Sequence, residues 1–177
     1  MLGEQDNLFL VGFMGCGKSS VAGRIAGIMQ CRVLDMDEVI ENRAGMAISK
    51  IFEKYGEDGF REMETQTLRD IAPSHAVISC GGGVCLREEN RRLMREKGKV
   101  VYLTVEPETV LRRLQVDQTK RPVLKGNMNI EYISGLINAR DPLYRECADY
   151  TIRTDGRSLD EICRDIARQV MNPSGGR

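Results

Sequence analysis

The sequence has no long apolar run and no excess of charge of either sign. Its 177 residues contain no hydrophobic stretch near the roughly 18 residues that suggest a membrane-spanning helix. Lys and Arg together number 26, as do Asp and Glu, so the formal net charge is zero. Proteins dedicated to nucleic acid or membrane surfaces usually carry an obvious basic excess. We therefore expect neither nucleic acid nor membrane as a partner.

The usual ligands of zinc sites are scarce or badly spaced. There is a single histidine, His75, and the six cysteines include no Cys-x-x-Cys pair. We expect no zinc site or histidine-dependent triad, and we expect free thiols of the kind found in a reducing cytosol. Residues 1–7 are polar and acidic, which is unlike a signal peptide. The expected location is the cytoplasm, and the expected oligomeric state is a monomer.

What is present is the pattern of one α/β domain, whose length is sufficient for its own core. Short apolar runs alternate with segments of helical spacing. Strands are predicted at 7–12, 32–35, 76–80, 99–105 and 149–153. Helices are predicted at 18–29, 86–97, 130–145, 159–171 and from 107 onward. Between 36 and 72 the pattern is mixed, and a helix is presumed only around Arg61. Five strands alternating with helices favour a parallel sheet covered on both faces.

Two segments have no periodicity. Residues 115–129 are polar and long for a connector, and such loops are usually functional or disordered. The last residues, 172–177, are predicted to form a flexible tail.

Residues 12–19, GFMGCGKS, match the phosphate-binding pattern G-x-x-x-x-G-K-[ST] at every fixed position. The motif lies between a predicted strand and a predicted helix, as its mechanism requires. Its glycines let backbone N–H groups approach phosphate oxygens, and the helix N-terminus adds partial positive charge. Lys18 is predicted to reach the β- and γ-phosphates, and the Ser19 hydroxyl to bind Mg²⁺. A chance glycine-rich turn is the alternative, and the strand–loop–helix context argues against it.

A phosphate-binding loop alone does not separate kinases from switch GTPases or motor ATPases. No Asn is followed by Lys, so the guanine-reading element N-K-x-D is missing, and the chain is short for a motor. Asp35 and Asp37 close the second strand, where carboxylates face the cleft of an open α/β sheet. One acid could serve near magnesium and the other at an acceptor hydroxyl. Solvated turn acids, or an N-cap, are the alternatives.

Arg61 and Glu64 lie three residues apart on a presumed helix and can pair. The pair is either an ordinary surface salt bridge or a device in which Glu64 orients Arg61 toward a substrate carboxylate. The glycines 81–83 follow a strand, and they form either a flexible turn or a place where backbone approaches a ligand. Arg121 is either a solvated loop charge or a cation that closes over the triphosphate.

Taken in order, these motifs resemble the shikimate kinase family along nearly the whole chain. The shared marks are GFMGCGKS at 12–19, D-x-D at 35–37, F-R-x-x-E at 60–64, G-G-G at 81–83, R-P-x-L at 121–124 and R-x-P-L-Y-R at 140–145. The resemblance implies ATP-dependent phosphorylation of the shikimate 3-hydroxyl, a step toward chorismate and the aromatic amino acids. The implied partners are ATP and shikimate, with Mg²⁺ as cofactor.

The resemblance also implies a nucleoside-monophosphate-kinase type of fold. This is a three-layer P-loop fold with a five-stranded parallel sheet flanked by helices. A single domain, 1–177, would contain a substrate-binding region at about 35–72 and a mobile lid at about 113–128.

The family's residue roles carry over position by position. The implied catalytic residues are Lys18, Asp37 and Arg121. The implied ATP-binding residues are Gly12, Gly15, Cys16, Gly17, Lys18, Ser19, Ser20, Arg113, Arg121 and Arg157, with Arg112 as an alternative to Arg113 at adenine. The implied substrate-binding residues are Asp37, Arg61, Gly82, Gly83 and Arg140, where the two arginines clamp the carboxylate. The implied metal-binding residues are Ser19 and Asp35, the latter through water.

Two other functions fit a phosphate-binding loop in a chain of this size. One is a different P-loop small-molecule kinase, such as gluconate kinase. The other is a non-catalytic nucleotide-binding module. The paired arginines together with D-x-D and G-G-G favour shikimate, and every implied catalytic position is retained.

Overall fold

A computed structural model describes residues 6–116 and 129–171 of the chain. Its strands are β1 (Asn7–Val11), β2 (Arg32–Asp35), β3 (Ala76–Ser79), β4 (Gly98–Thr104) and β5 (Tyr150–Arg153). Its α-helices are α1 (Lys18–Met29), α2 (Met36–Ala44), α3 (Ile48–Asp70), α4 (Glu88–Lys97), α5 (Pro107–Val116), α6 (Ile130–Cys147) and α7 (Leu159–Met171), and a 3-10 helix spans Val84–Leu86.

The strands form one five-stranded sheet in the order β2-β3-β1-β4-β5, and every pairing is parallel. The predicted α/β fold with a five-stranded parallel sheet between helices is confirmed. β1 is central and fully buried, in line with its nearly continuous apolar sequence. The chain winds to one side of β1 through β2 and β3, and then to the other side through β4 and β5. Ligands bind at such switch points, beyond the carboxyl ends of the strands.

Side chains of β1 alternate between two hydrophobic layers. Leu8 and Leu10 pack with Ile25 of α1 and Ile166 of α7 on one face. Phe9 and Val11 belong to the layer on the other face, which is covered by α3, α4 and α6. Because successive side chains of a strand point to opposite faces, one short strand anchors both layers. The loop that leaves β1 is therefore held on a rigid base.

The sequence interpretation was incomplete between 36 and 72, where two helices lie. The long helix α3 carries non-helical backbone angles at Gly56 (φ 69°, ψ −176°) and bends there. Ile40, Ile51 and Phe60 form a small core of their own between α2 and the two parts of α3. A satellite core needs few apolar residues, so its helices show weaker periodicity than those that cover the sheet.

The cysteines are free thiols, as the sequence predicted. The predicted lid and tail lie largely outside the residues that the structure describes. All six cysteines lie in the described residues and are free, five of them buried. None of the helices described over 6–116 and 129–171 is long and apolar enough to cross a membrane. The predicted lid begins within α5, but its larger part lies outside the described residues, as does the predicted tail at 172–177.

Candidate active site

A cleft of about 1300 Å³ opens at the carboxyl edge of the sheet. Its walls are the segments that follow β1, β2 and β3, together with parts of α3, α6 and α7. Typical small-molecule pockets have volumes of about 300–1,000 Å³, so this cleft has room for two ligands side by side.

The loop after β1 has the backbone shape of a phosphate cradle. Gly15 (φ 76°) and Gly17 (φ 94°) adopt left-handed angles that side chains disfavour. At Gly12 a Cβ atom would lie 2.5 Å from the Leu103 carbonyl oxygen, so no other residue fits. Gly17 is the N-cap of α1, and the loop therefore ends at a helix N-terminus, where anions are stabilised.

Lys18 lies across this loop. Its Nζ donates to the carbonyl oxygens of Gly12 (2.8 Å) and Phe13 (3.0 Å) and contacts the Cys16 Sγ at 3.6 Å. The ammonium group is thus held at the mouth of the cradle. The side chain of Cys16 is buried, and its amide donates to the Phe13 carbonyl oxygen at 3.2 Å. Ser19 and Ser20 are exposed and line the cleft.

Asp35 fits both interpretations that its position in the sequence allowed. Its carboxylate caps α2 by accepting from the amides of Asp37 (3.0 Å) and Glu38 (3.4 Å). Its second oxygen accepts from the Ser19 hydroxyl at 3.3 Å. Mg²⁺ is commonly held by one or two protein oxygens, with water and substrate phosphates as its other ligands. The Ser19–Asp35 pair fits such an ion, and the described residues contain no cluster of three acidic, Cys or His ligands.

Arg61 and Glu64 form a buried ion pair, so the surface salt-bridge interpretation was wrong. Arg61 Nη1 lies 2.6 Å from Glu64 Oε2, and the side chains are 7% and 0% exposed. Glu57 adds a longer contact of 3.3 Å to Arg61 Nη2. Burial raises the pKa of the Glu64 carboxyl, an effect that Arg61 partly offsets and Asp37 increases. The pair holds a guanidinium group at a fixed place on the cleft wall.

The three glycines after β3 lie against these charged groups. A Cβ at Gly83 would lie 2.3 Å from Arg61 Nη1, and one at Gly81 would lie 2.7 Å from Glu64 Oε1 and 3.0 Å from Asp37 Oδ1. Side chains at these positions would displace the guanidinium group and the carboxylates. Close packing therefore favours glycine at 81 and 83, whereas a Cβ at Gly82 would come no nearer than 3.4 Å to another atom.

Arg140 reaches the same three glycines from α6. It is 7% exposed, its Nη1 donates to the Gly82 carbonyl oxygen at 3.3 Å, and its guanidinium lies over the Phe13 ring at 5.6 Å. Two arginines from distant parts of the chain thus meet at adjacent glycines, and Gly82 itself lies beside Met14 and Gly12 of the phosphate cradle.

Arg113 and Arg157 lie toward the other end of the cleft. Arg113 Nη1 donates to the Gly15 carbonyl oxygen at 2.6 Å, and Arg157 pairs with Asp165 at 2.6 Å. Among the described residues, both line the cleft and Arg112 does not. Arg113 is therefore the better candidate for a base-stacking residue. Arg121 lies outside the described residues.

Sequence reasoning missed some residues of the cleft wall. Ile48, Ser49 and Phe52, from the first part of α3, line the cleft, as do Leu159 and Ile162 of α7. Apolar residues of this kind carry no motif. A signal was available only in the Gly56 turn, which divides α3 and directs its first part to the cleft.

The fold, the cradle and the two-ended cleft define a P-loop phosphotransferase that acts on a small acceptor. Comparison with known proteins narrows this class. The family model for shikimate kinase matches residues 14–171. The chain belongs to the shikimate kinase family.

Curated relatives match over almost their whole length. The shikimate kinase of Dictyoglomus turgidum is 42% identical over 172 residues, which cover 95% of this chain and 99% of the relative. That of Geobacter sulfurreducens is 43% identical over 165 residues, covering 93% and 90%.

Solved structures agree with this assignment. The Acinetobacter baumannii shikimate kinase in complex with shikimate superposes with a TM-score of 0.89 at 36% identity, covering 97% of this chain and 96% of that one. A gluconokinase from Sinorhizobium meliloti has a TM-score of 0.57 at 15% identity and shares the fold alone.

Proposed function

We propose that this chain transfers the γ-phosphoryl group of ATP to the 3-hydroxyl of shikimate, giving shikimate 3-phosphate and ADP in the route to chorismate. The observation that carries the proposal is the meeting of Arg61 and Arg140 at Gly83 and Gly82, in the same cleft as the phosphate cradle. A planar guanidinium group donates two parallel hydrogen bonds to a carboxylate, which suits a carboxylated acceptor.

The phosphate end is assigned to the loop 12–19. Backbone amides and the α1 N-terminus would bind the β-phosphate, and Lys18 would exchange its carbonyl contacts for the β- and γ-phosphates. Gly12, Gly15, Cys16, Gly17 and Ser20 would contribute as parts of the cradle. Arg113 and Arg157 would contact adenine. Arg121 is assigned to the phosphates on the sequence motif alone.

The acceptor end is assigned to Asp37, Arg61, Gly82, Gly83 and Arg140. The arginines would hold the carboxylate, and the backbone of the glycines would contact the ring hydroxyls. Asp37 would accept the proton of the 3-hydroxyl while the hydroxyl oxygen forms a bond to the γ-phosphorus. At the same time, the bond between the γ-phosphorus and the oxygen that bridges it to the β-phosphorus would break. The proton would then pass to solvent.

Ser19 and Asp35 would hold Mg²⁺, the former directly and the latter through water. When bound, this ion offsets the charge of the β- and γ-phosphates. Asp35 has a second task in capping α2, so its two oxygens serve the helix and the metal separately.

The test is a steady-state assay of ADP release with MgATP and shikimate, run beside MgATP and gluconate. We expect turnover with shikimate and none with gluconate, and mass spectrometry should identify shikimate 3-phosphate. Turnover with gluconate alone would reassign the acceptor. ATP binding without turnover of either compound would indicate a nucleotide-binding module. Gluconate phosphorylation is not favoured, because the gluconokinase likeness extends to the fold alone.

A further inference from the structure

We propose that Tyr144 is a positioning residue for acceptor binding: its hydroxyl holds the Gly82 carbonyl oxygen, which leaves Arg140 free to turn to the substrate carboxylate. This inference rests on the proposed function, in which Arg140 binds that carboxylate. It adds a residue to the acceptor site that does not line the cleft itself.

Two donors from one helix converge on a single acceptor. Arg140 and Tyr144 lie four residues apart on α6, hence on the same face. The Tyr144 hydroxyl donates a hydrogen bond to the Gly82 carbonyl oxygen. Arg140 Nη1 donates to the same oxygen at 3.3 Å. A carbonyl oxygen has two lone pairs, so both bonds can exist together.

The two donors differ in whether they can leave the Gly82 carbonyl oxygen for a substrate. Arg140 has donors left over and lies at the cleft wall, so it can exchange the carbonyl for a substrate carboxylate. Tyr144 is 1% exposed, and its ring stacks on Tyr102 with centroids 4.9 Å apart. Burial raises the pKa of the Tyr144 phenol well above its ordinary value, so the hydroxyl remains a donor at neutral pH.

The physical consequence concerns the cost of releasing Arg140. With Tyr144 in place, the Gly82 carbonyl keeps a protein donor when Arg140 leaves, and the backbone of 81–83 keeps its position. Without the hydroxyl, Arg140 becomes the only protein donor to this oxygen among the described residues. Substrate binding would then break that bond and loosen the glycines that line the acceptor end.

Tyr144→Phe removes one oxygen and retains the buried ring. We expect KM for shikimate to rise about 2- to 12-fold, the equivalent of one net hydrogen bond, with KM for ATP unchanged. Tyr102→Phe is the matched control. Its hydroxyl donates to Asp141 Oδ1 at 2.9 Å and does not contact the glycines, so the loss of a hydroxyl from this stacked pair should leave both KM values unchanged.

A double-mutant cycle separates positioning from general destabilisation. Calorimetry would measure shikimate binding to wild type, Tyr144→Phe, Arg140→Met and the double variant, at temperatures well below their unfolding midpoints. If Tyr144 acts by freeing Arg140, its substitution should cost less than about twofold in affinity when Arg140 is already gone. An undiminished effect in that background, or equal rises in both KM values, would overturn the inference.

A crystal structure of the wild-type chain with shikimate supplies a test that needs no variant. We expect Tyr144 Oη to remain on the Gly82 carbonyl oxygen while Arg140 has moved to the carboxylate. Arg140 still bonded to the carbonyl, or Tyr144 detached from it, would contradict the role. Failure of the wild type to bind shikimate at all would instead defeat the proposed function, so the two failures are distinguishable.

Discussion

Buried charge at the acceptor end of the cleft is concentrated in the pair formed by Arg61 and Glu64. Removing two charges from water is costly, and such a pair often contributes little net stability. Its position beside Gly83, where a Cβ atom would lie 2.3 Å from Arg61 Nη1, points to a role in placing the guanidinium group. Glu64 holds the guanidinium group of Arg61 at 2.6 Å, and in the proposed function this orients Arg61 before the acceptor binds.

Arg61→Lys should raise KM for shikimate by about 10- to 100-fold, because a lysine cannot provide the paired hydrogen bonds of the guanidinium group. KM for ATP should stay the same, since Arg61 lies at the acceptor end. Arg69→Lys is the matched control, because Arg69 lies on the same helix in a salt bridge with Glu89, 41% exposed and outside the cleft. Steady-state kinetics with each substrate varied in turn would measure both. Equal losses for ATP and shikimate would contradict the assignment of Arg61.

Asp37→Asn should lower kcat by about 100- to 10,000-fold, because the amide cannot accept the hydroxyl proton. Affinity for shikimate, measured by calorimetry, should change much less, since the amide oxygen still accepts a hydrogen bond. Glu38→Gln, on the exposed side of the same helix turn, serves as the control. Normal turnover by Asp37→Asn would require the proton-accepting role to be abandoned.

At the scale of elements, the division of α3 at Gly56 shapes the acceptor end. The part before the turn brings Ile48, Ser49 and Phe52 to the cleft, and the part after it carries Arg61 and Glu64. Phe52 and Phe60 contact each other across the division with ring centroids 4.8 Å apart. The two parts therefore form one wall, and the angle between them is set at a single residue.

Gly56→Ala should destabilise the chain by about 1–3 kcal/mol, because its backbone angles (φ 69°, ψ −176°) lie in a region that essentially only glycine occupies. Open space surrounds the new methyl group, so the effect comes from the backbone alone. Gly27→Ala, at an exposed and equally open position within α1, is the matched control and should stabilise by about 0.5–1 kcal/mol. Chemical denaturation would measure both. If both variants were stabilised to the same extent, the backbone conformation at Gly56 would not require glycine.

At the scale of the molecule, the sheet brings four separated segments to one edge. The loops after β1, β2 and β3 and the helix α6 meet there because parallel strands end on the same side. In the proposed function, ATP and shikimate share one cleft but are bound by different arginines. Each ligand should therefore bind, and stabilise the fold, without the other.

Shikimate at about 100 times its Kd should raise the thermal midpoint by about 5 to 10 °C, which corresponds to about 2.7 kcal/mol of added stability. Gluconate at the same concentration should leave the midpoint unchanged. In Arg61→Lys, the shift with shikimate should shrink at that fixed concentration while the shift with MgADP persists. Differential scanning fluorimetry would measure all three. A gluconate shift equal to that of shikimate would count against specific acceptor recognition.

The family resemblance indicated Arg113, Arg140 and Arg157, and the sequence by itself determined the phosphate cradle and the parallel α/β architecture, with Asp35, Asp37 and Arg61 as candidate residues of the cleft. These features depend on local chemistry. A glycine-rich turn between strand and helix, alternating elements, and charged residues at strand ends can all be recognised within short windows. The helices between 36 and 70 were not predicted, apart from the one presumed around Arg61, because a satellite core of three buried residues leaves little periodicity.

Only the tertiary structure decided which of several local interpretations applied. Burial made the Arg61–Glu64 pair part of the cleft wall, and the pair packs so closely against Gly81 and Gly83 that a Cβ at either position would force its charged ends to move. The convergence of Arg140 and Tyr144 on the Gly82 carbonyl joins residues 58 and 62 positions apart in the chain. Contacts over such separations depend on how strands and helices stack, and no local sequence pattern encodes them.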